Sequence, residues 1–241
     1  MGNSGNLPAG TSSPAEITAF LRQLATTPRQ TRSGRGRLMF ALDATASRQP
    51  TWDRACQLQG EMFEATAALG GLDIQLVFFR GFGECKAAPW LGSAAELLRR
   101  MTAVHCLAGQ TQWCRVLSHA LAETGRERVN ALVAVGDSME EDLDRLGDLA
   151  GQLGVLGVPA FLFQEGDDAV TRRAFQQVAR LSGGAWCPFD AGSAKQLRDL
   201  LSAVAVFAAG GRAALEDLGR SRGGLVRALT DQMARPGDRP A

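Results

Sequence analysis

The chain has 241 residues, 45% hydrophobic and 21% charged, a composition that places it among ordinary soluble globular proteins able to bury a sizeable core. Lys plus Arg number 26 against 25 Asp plus Glu, and the resulting formal net charge of +1 excludes the broad positive field that non-specific nucleic-acid binding draws on. The cysteines, Cys56, Cys85, Cys106, Cys114 and Cys187, are odd in number and contain no CxxC pair, which predicts free thiols in a reducing compartment and hence a cytoplasmic location.

Met1 to Pro14 is rich in Gly, Ser, Asn and Pro and does not read as a secretory signal. Pro14 to Ala25 carries Ile17, Phe20, Leu21 and Leu24 at helical spacing, so one short helix is expected before a Gly/Arg/Ser/Thr-rich linker from Thr26 to Gly36. Within and just after that linker, Arg32, Arg35 and Arg37 form a small basic run that reads as solvated. Alternation then begins. Leu38 to Leu42 is apolar on both faces, as a central parallel strand is, and a helix over Trp52 to Leu69 follows, with Pro50 and Thr51 as its start signals. Ile74 to Phe79 is the next strand, and Glu84 to Ala87 is a candidate antiparallel edge strand.

Helices are predicted over Ala94 to Met101 and Gln112 to Thr124, then a strand over Val129 to Val135. Ser138-Met139-Glu140-Glu141 has the form of a capping box opening a helix toward Leu153. Val158 to Phe163, Ala169 to Leu181, Ala185 to Phe189 and Ser193 to Ala208 continue as strand, helix, strand and helix. The expected fold class is α/β, a doubly wound and mainly parallel central sheet flanked by helices. The expected organisation is an N-terminal tail over 1–36, the α/β domain over 37–209 and a C-terminal tail over 210–241 with one weak helix near Leu225 to Met233. The longest apolar run, Leu200 to Ala209, is far short of the ~20 residues a membrane span needs.

Ligands of such sheets bind where loops leave the carboxyl ends of the strands. Asp43-Ala44-Thr45-Ala46-Ser47 follows the first strand and offers a carboxylate and two hydroxyls at alternate positions. Gly136-Asp137 places a second carboxylate after a later strand, and Gly109-Gln110-Thr111 brings a hydroxyl to the start of a helix. Oxygen donors converging from three loops suit a hard cation, Mg²⁺ first and Mn²⁺ or Ca²⁺ after it, and disfavour zinc. The alternative for Asp43, Thr45 and Ser47 is that they cap the turn itself.

Asp43-x-Thr45-x-Ser47, the later Thr111 and Gly136-Asp137 together resemble the metal-ion-dependent adhesion site of von Willebrand factor type A (VWA) domains, over about residues 37 to 209. The resemblance implies that Ser47, Thr45 and Thr111 ligate a cation directly, that Asp43 and Asp137 do so directly or through water, and that an Asp or Glu of a protein partner completes the shell. Thr45 stands where the family more often has Ser, and Gln110 where Gly is common. Small bacterial proteins with little more than one such domain are similar in length, and their usual role is as intracellular partner-binding modules.

Other constellations carry less. His105, Cys106, Cys114 and His119 match no usual zinc spacing and supply no orienting third residue for a Cys-His nucleophile. A haloacid-dehalogenase-like hydrolase would need a second Asp where Thr45 stands, and no GxGxxG follows a strand. Glu140, Glu141 and Asp142 are expected to favour a helix N-terminus. Trp52, Phe82 and Trp90 are candidate rim aromatics, with packing over the sheet edges as the alternative. The expected function is non-enzymatic, cation-dependent binding of a protein partner, with no nucleic acid and no membrane. The alternatives are a metal-dependent hydrolase and a scaffold without a working metal site.

Overall fold

The computed structural model describes residues 35–67, 71–189 and 194–221. The helix expected over Pro14 to Ala25, nearly all of the linker and the weak helix near Leu225 to Met233 lie outside them.

Six strands form one sheet: β1 (Gly36–Asp43), β2 (Leu72–Arg80), β3 (Glu84–Ala87), β4 (Ala131–Gly136), β5 (Ala160–Glu165) and β6 (Ala185–Phe189). Their order is β3-β2-β1-β4-β5-β6, with β3 antiparallel to β2 and every other pair parallel. Six helices accompany them: α1 (Gln49–Thr66), α2 (Ala94–Thr102), α3 (Trp113–Arg126), α4 (Leu143–Val155), α5 (Ala169–Ser182) and α6 (Ala194–Ser221). Parallel neighbours require crossovers, and helices supply them between β1 and β2, β4 and β5, and β5 and β6. This is the doubly wound α/β architecture expected, with Glu84–Ala87 as its antiparallel edge.

All eight residues of β1 are buried, because helices cover both faces of the sheet. Leu38, Phe40 and Leu42 belong to a core with Trp52, Met62, Leu97 and Phe207, from α1, α2 and α6. Met39 and Ala41 point the other way, into a core with Trp113, Leu117, Leu146 and Phe175, from α3, α4 and α5. The period of two along the strand thus divides its side chains between two cores. On one face, Trp52 Nε1 donates to the Met101 carbonyl at 3.0 Å and ties α1 to α2.

Three expectations are corrected. Arg37 is not solvated: it is buried at the start of β1, stacks 3.9 Å from the Trp90 ring centre and pairs with Glu123 at 3.7 Å and Glu127 at 3.3 Å. Arg35 stays exposed, as expected, while pairing with Asp73 at 2.7 Å. The Ser138 capping box does not form; α4 opens at Leu143 with Asp142 as its cap, accepting from the Arg145 N–H at 2.8 Å. Helix α6 continues beyond Ala209 to Ser221, with a non-helical Gly211 (φ 70°, ψ −159°) marking a kink. Among the described residues no helix is long and apolar enough to cross a membrane.

Helix α6 closes one face of the sheet through Phe207, which is 3% exposed and meets the Phe161 ring edge-on at 5.8 Å. Phe207→Ala should lower the unfolding free energy by about 3–5 kcal/mol with an unchanged denaturant slope. Urea unfolding of the variant measures this, and a neutral substitution would mean that α6 does not cover the core.

Candidate functional site

The sheet reverses its winding at β1, whose chain neighbour β2 lies on one side and β4 on the other. A crevice therefore opens beyond the carboxyl ends of β1 and β4. The parallel register pairs Leu42 with Val135, so Asp43 and the Gly136-Asp137 step leave the sheet side by side. Gly136 makes room for Trp113 at this step: a Cβ there would lie 2.5 Å from the Trp113 ring, and 3.4 Å, ordinary contact, from the Asp43 Cβ.

Asp43 is 3% exposed, and its Oδ1 accepts from the Thr45 N–H at 2.7 Å. Its Oδ2 is buried with no hydrogen-bond partner, an uncommon condition for a carboxylate oxygen. A 3₁₀ turn over Ala46–Arg48 folds the following residues back, the Arg48 N–H reaching the Thr45 carbonyl at 2.9 Å. The Thr45 and Ser47 hydroxyls lie 3.5 Å apart, and Ser47 Oγ donates to Asp137 Oδ2 at 3.1 Å. Asp43, Thr45, Ser47 and Asp137 thus form one continuous polar group.

Thr111 enters differently. Its hydroxyl accepts from the Glu140 N–H at 3.0 Å and its own N–H donates to Glu140 Oε2 at 3.3 Å, so it is joined to the loop of Asp137 rather than to that of Asp43. The segment before it is pinned by Leu107 N–H to the Ala44 carbonyl at 3.0 Å and by Gln110 N–H to the Gly81 carbonyl at 3.1 Å. Gly109 permits this packing, since a Cβ there would fall 2.1 Å from the Gly81 oxygen. Among the described residues only glycines have positive φ, so Gln110 sits without backbone strain where the resembled family commonly has Gly.

Sequence reasoning missed the cation already present. Arg48, 3% exposed, places Nη1 3.0 Å from Asp137 Oδ2, pairs through Nη2 with Glu165 Oε2, and donates to Thr51 Oγ at 2.5 Å. Thr51 in turn donates to the same Glu165 oxygen. Glu165 ends β5, so reading strand ends for polar residues would have found it; Arg48 directly follows Ser47 in the loop already singled out. Glu141 was also misassigned. Its carboxylate accepts from the Trp113 N–H and, at 2.9 Å, from the Cys114 N–H, capping α3 rather than the helix that follows it. That capture explains why α4 starts late.

Burial raises the Asp43 carboxyl to about 6, with the nearby Asp137 charge adding to the rise, while hydrogen bonds from Thr45 and the charge of Arg48 oppose it. The thiols are less ionisable than ordinary ones: burial pushes Cys56 and Cys106 up to about 11 and Cys114, beside Glu141, up to about 12. Burial also lowers the pKa of His119, whose Nε2 is 3.0 Å from Gln75 Oε1. Among the described residues no disulfide forms, and no group of three or more His, Cys, Asp or Glu gathers around a cation position. Of the candidate aromatics, Trp52 is 2% exposed and Trp90 is held by Arg37 and by Glu123 at 2.8 Å. Phe82 alone of the three is open, at 83% exposure, in the Gly81–Gly83 turn that packs on Gly109.

No protein-family model and no curated protein matches the chain. Solved structures are similar. An aerotolerance-related membrane protein from Bacteroides fragilis aligns with TM-score 0.54 and 15% identity, over 69% of this chain and 98% of that one. The SpRpn10 VWA domain aligns with TM-score 0.54 and 15% identity, over 69% and 93%. Proximal thread matrix protein 1 from the mussel byssus, with a zinc-occupied MIDAS motif, aligns with TM-score 0.55 and 17% identity, over 71% of this chain and 46% of that protein. The fold is that of VWA domains.

The raised pKa of Asp43 has a stability consequence. Between the unfolded value of 3.8 and about 6 the folded chain binds more protons than the unfolded one, so stability falls as pH rises through that window. In chelator the loss should approach roughly 2 kcal/mol between pH 4 and pH 7. Asp43→Asn keeps an acceptor for the Thr45 N–H and should flatten the slope. Urea unfolding from pH 4 to pH 8 measures both, and parallel curves would contradict the assignment.

Proposed function

We propose that the chain is a non-enzymatic module that binds a protein partner through a divalent cation held by Asp43, Thr45, Ser47, Thr111 and Asp137. The observation that carries this reading is the Asp43 Oδ2, a carboxylate oxygen buried without a partner beside a second carboxylate and two hydroxyls. An orphaned acceptor in that setting fits a hard cation, and so does the donor set of oxygens alone. When bound, such a cation offers an open coordination position to an acidic side chain of the partner. The divalent identity proposed is Mg²⁺ or Mn²⁺, with Zn²⁺ admitted because one similar structure carries it in its MIDAS motif.

The chain's own groups divide the work. The Asp43 and Asp137 carboxylates supply two negative charges; the hydroxyls of Thr45, Ser47 and Thr111 supply oxygens without charge, leaving room for one more anionic ligand. Gly136 admits the Trp113 ring beside the step that carries Asp137, and Glu140 holds Thr111 at the start of α3. Phe82 on the adjoining turn gives the partner an apolar contact outside the polar centre. A second reading, a VWA-fold scaffold without a working metal site, is favoured by the Arg48 guanidinium on Asp137.

Millimolar Mg²⁺ or Mn²⁺ should raise the melting temperature of the wild type by several degrees, since a ligand held only by the folded state stabilises it. Asp43→Ala should lose that response. With immobilised chain, the partner retained in Mg²⁺ should be released by chelator, fail to bind Thr111→Ala, and lose binding when one acidic loop residue of its own is reversed to Lys. Equal retention in chelator would support the scaffold reading and exclude the cation-dependent one.

A further inference from the structure

Arg48 is held between two carboxylates of unequal standing. Asp137 belongs to the proposed cation ligands; Glu165 does not, and its side chain is bound by both Arg48 and Thr51. The Arg48 side chain is 4% exposed, so its charge has little water to turn to and must stay paired within this network. The contact with Asp137 engages Oδ2, the same oxygen that receives the Ser47 hydroxyl. A guanidinium 3.0 Å from that oxygen and a divalent cation bound to it would stand within a few ångströms of each other, where like charges in a poorly hydrated setting repel strongly.

Charge counting shows how both can be accommodated. Asp43, Asp137 and Glu165 carry three negative charges when ionised, and Arg48 carries one positive charge. If Arg48 is neutralised by Glu165, two negative charges remain for a divalent cation. If it is neutralised by Asp137, one ligand is lost. Thr51 favours the first arrangement, because it stands on α1 and binds Glu165 and Arg48 together.

We infer that Arg48 is a built-in competitor for the cation site, shared between Asp137 and Glu165, and that cation binding transfers it from Asp137 to Glu165, so that Glu165 regulates the affinity of a site it does not line. The inference rests on the reading of Asp43 and Asp137 as cation ligands and extends it to a regulating pair. A purely structural Arg48–Glu165 pair would weaken cation binding whichever member was removed. A competitor predicts opposite signs. Removing Arg48 frees Asp137, whereas removing the Glu165 charge leaves the guanidinium with Asp137 alone.

Calorimetric titration of the metal-stripped full chain with MnCl₂ decides between them, with Asp43→Ala as the control for the site itself. Arg48→Met should bind Mn²⁺ about tenfold more tightly than wild type, and Glu165→Gln should bind it several-fold more weakly. Weaker binding by both, or an unchanged Glu165→Gln, overturns the inference while wild-type binding lost in Asp43→Ala leaves the cation reading standing. Should Arg48→Met not fold alone, the double variant Arg48→Met/Glu165→Gln, which removes both buried charges, takes its place: binding tighter than that of Glu165→Gln supports the competitor, and equal or weaker binding overturns it. Binding by Arg48→Met alone, with none by wild type, supports the competitor and overturns the proposed function of the wild type. If no variant and no wild type binds Mn²⁺, both fall.

Discussion

The parallel register of β1 on β4 brings two carboxylates to one edge of the sheet, and much of the architecture around them serves to tolerate that placement. Leu42 opposite Val135 leaves Asp43 and Asp137 adjacent, and Gly136 removes the Cβ that would collide with the Trp113 ring packed against the step. Two acids in a partly dehydrated crevice repel each other and lose hydration. The fold meets this cost with the Thr45 N–H on Asp43 Oδ1, with Ser47 and Arg48 on Asp137, and with nothing on Asp43 Oδ2. That last oxygen is where the protein's own groups stop, and it is the reason to look for a cation.

The surrounding loops are locked to this centre by backbone and side-chain hydrogen bonds together. Leu107 and Gln110 hang the Thr111 segment on Ala44 and Gly81, and Glu140 clasps Thr111 from the other side. Glu141 uses its carboxylate to cap α3, which fixes the start of the helix that carries Trp113 into the core. The polar crevice and the apolar core therefore meet at Trp113. Trp113 meets the Phe79 ring at 4.7 Å and the Phe175 ring at 5.3 Å while its Nε1 donates to the Ser138 carbonyl at 2.9 Å.

What the sequence made legible follows from which forces are local. Apolar runs such as Leu38 to Leu42 announce buried strands because every side chain meets a core on one face or the other, and the strand and helix alternation then implies the sheet. The order of polar residues at strand ends pointed to Asp43 and Asp137 for the same reason. Arg37 misled because its partners, Glu123, Glu127 and Trp90, are distant in the chain and only the fold brings them to it. The Ser138 capping box misled because Glu141 has a stronger use at another helix. Arg48 escaped notice because one charged residue in a turn reads as solvated until Glu165, from a different strand, is beside it.

The most direct measurement is anomalous diffraction from crystals of the wild-type chain grown with Mn²⁺. One strong peak is expected at the carboxyl ends of β1 and β4, within coordination distance of an Asp43 carboxylate oxygen, with the Arg48 guanidinium resting on Glu165. A peak elsewhere, or none at this edge with Arg48 still on Asp137, would contradict the proposed site.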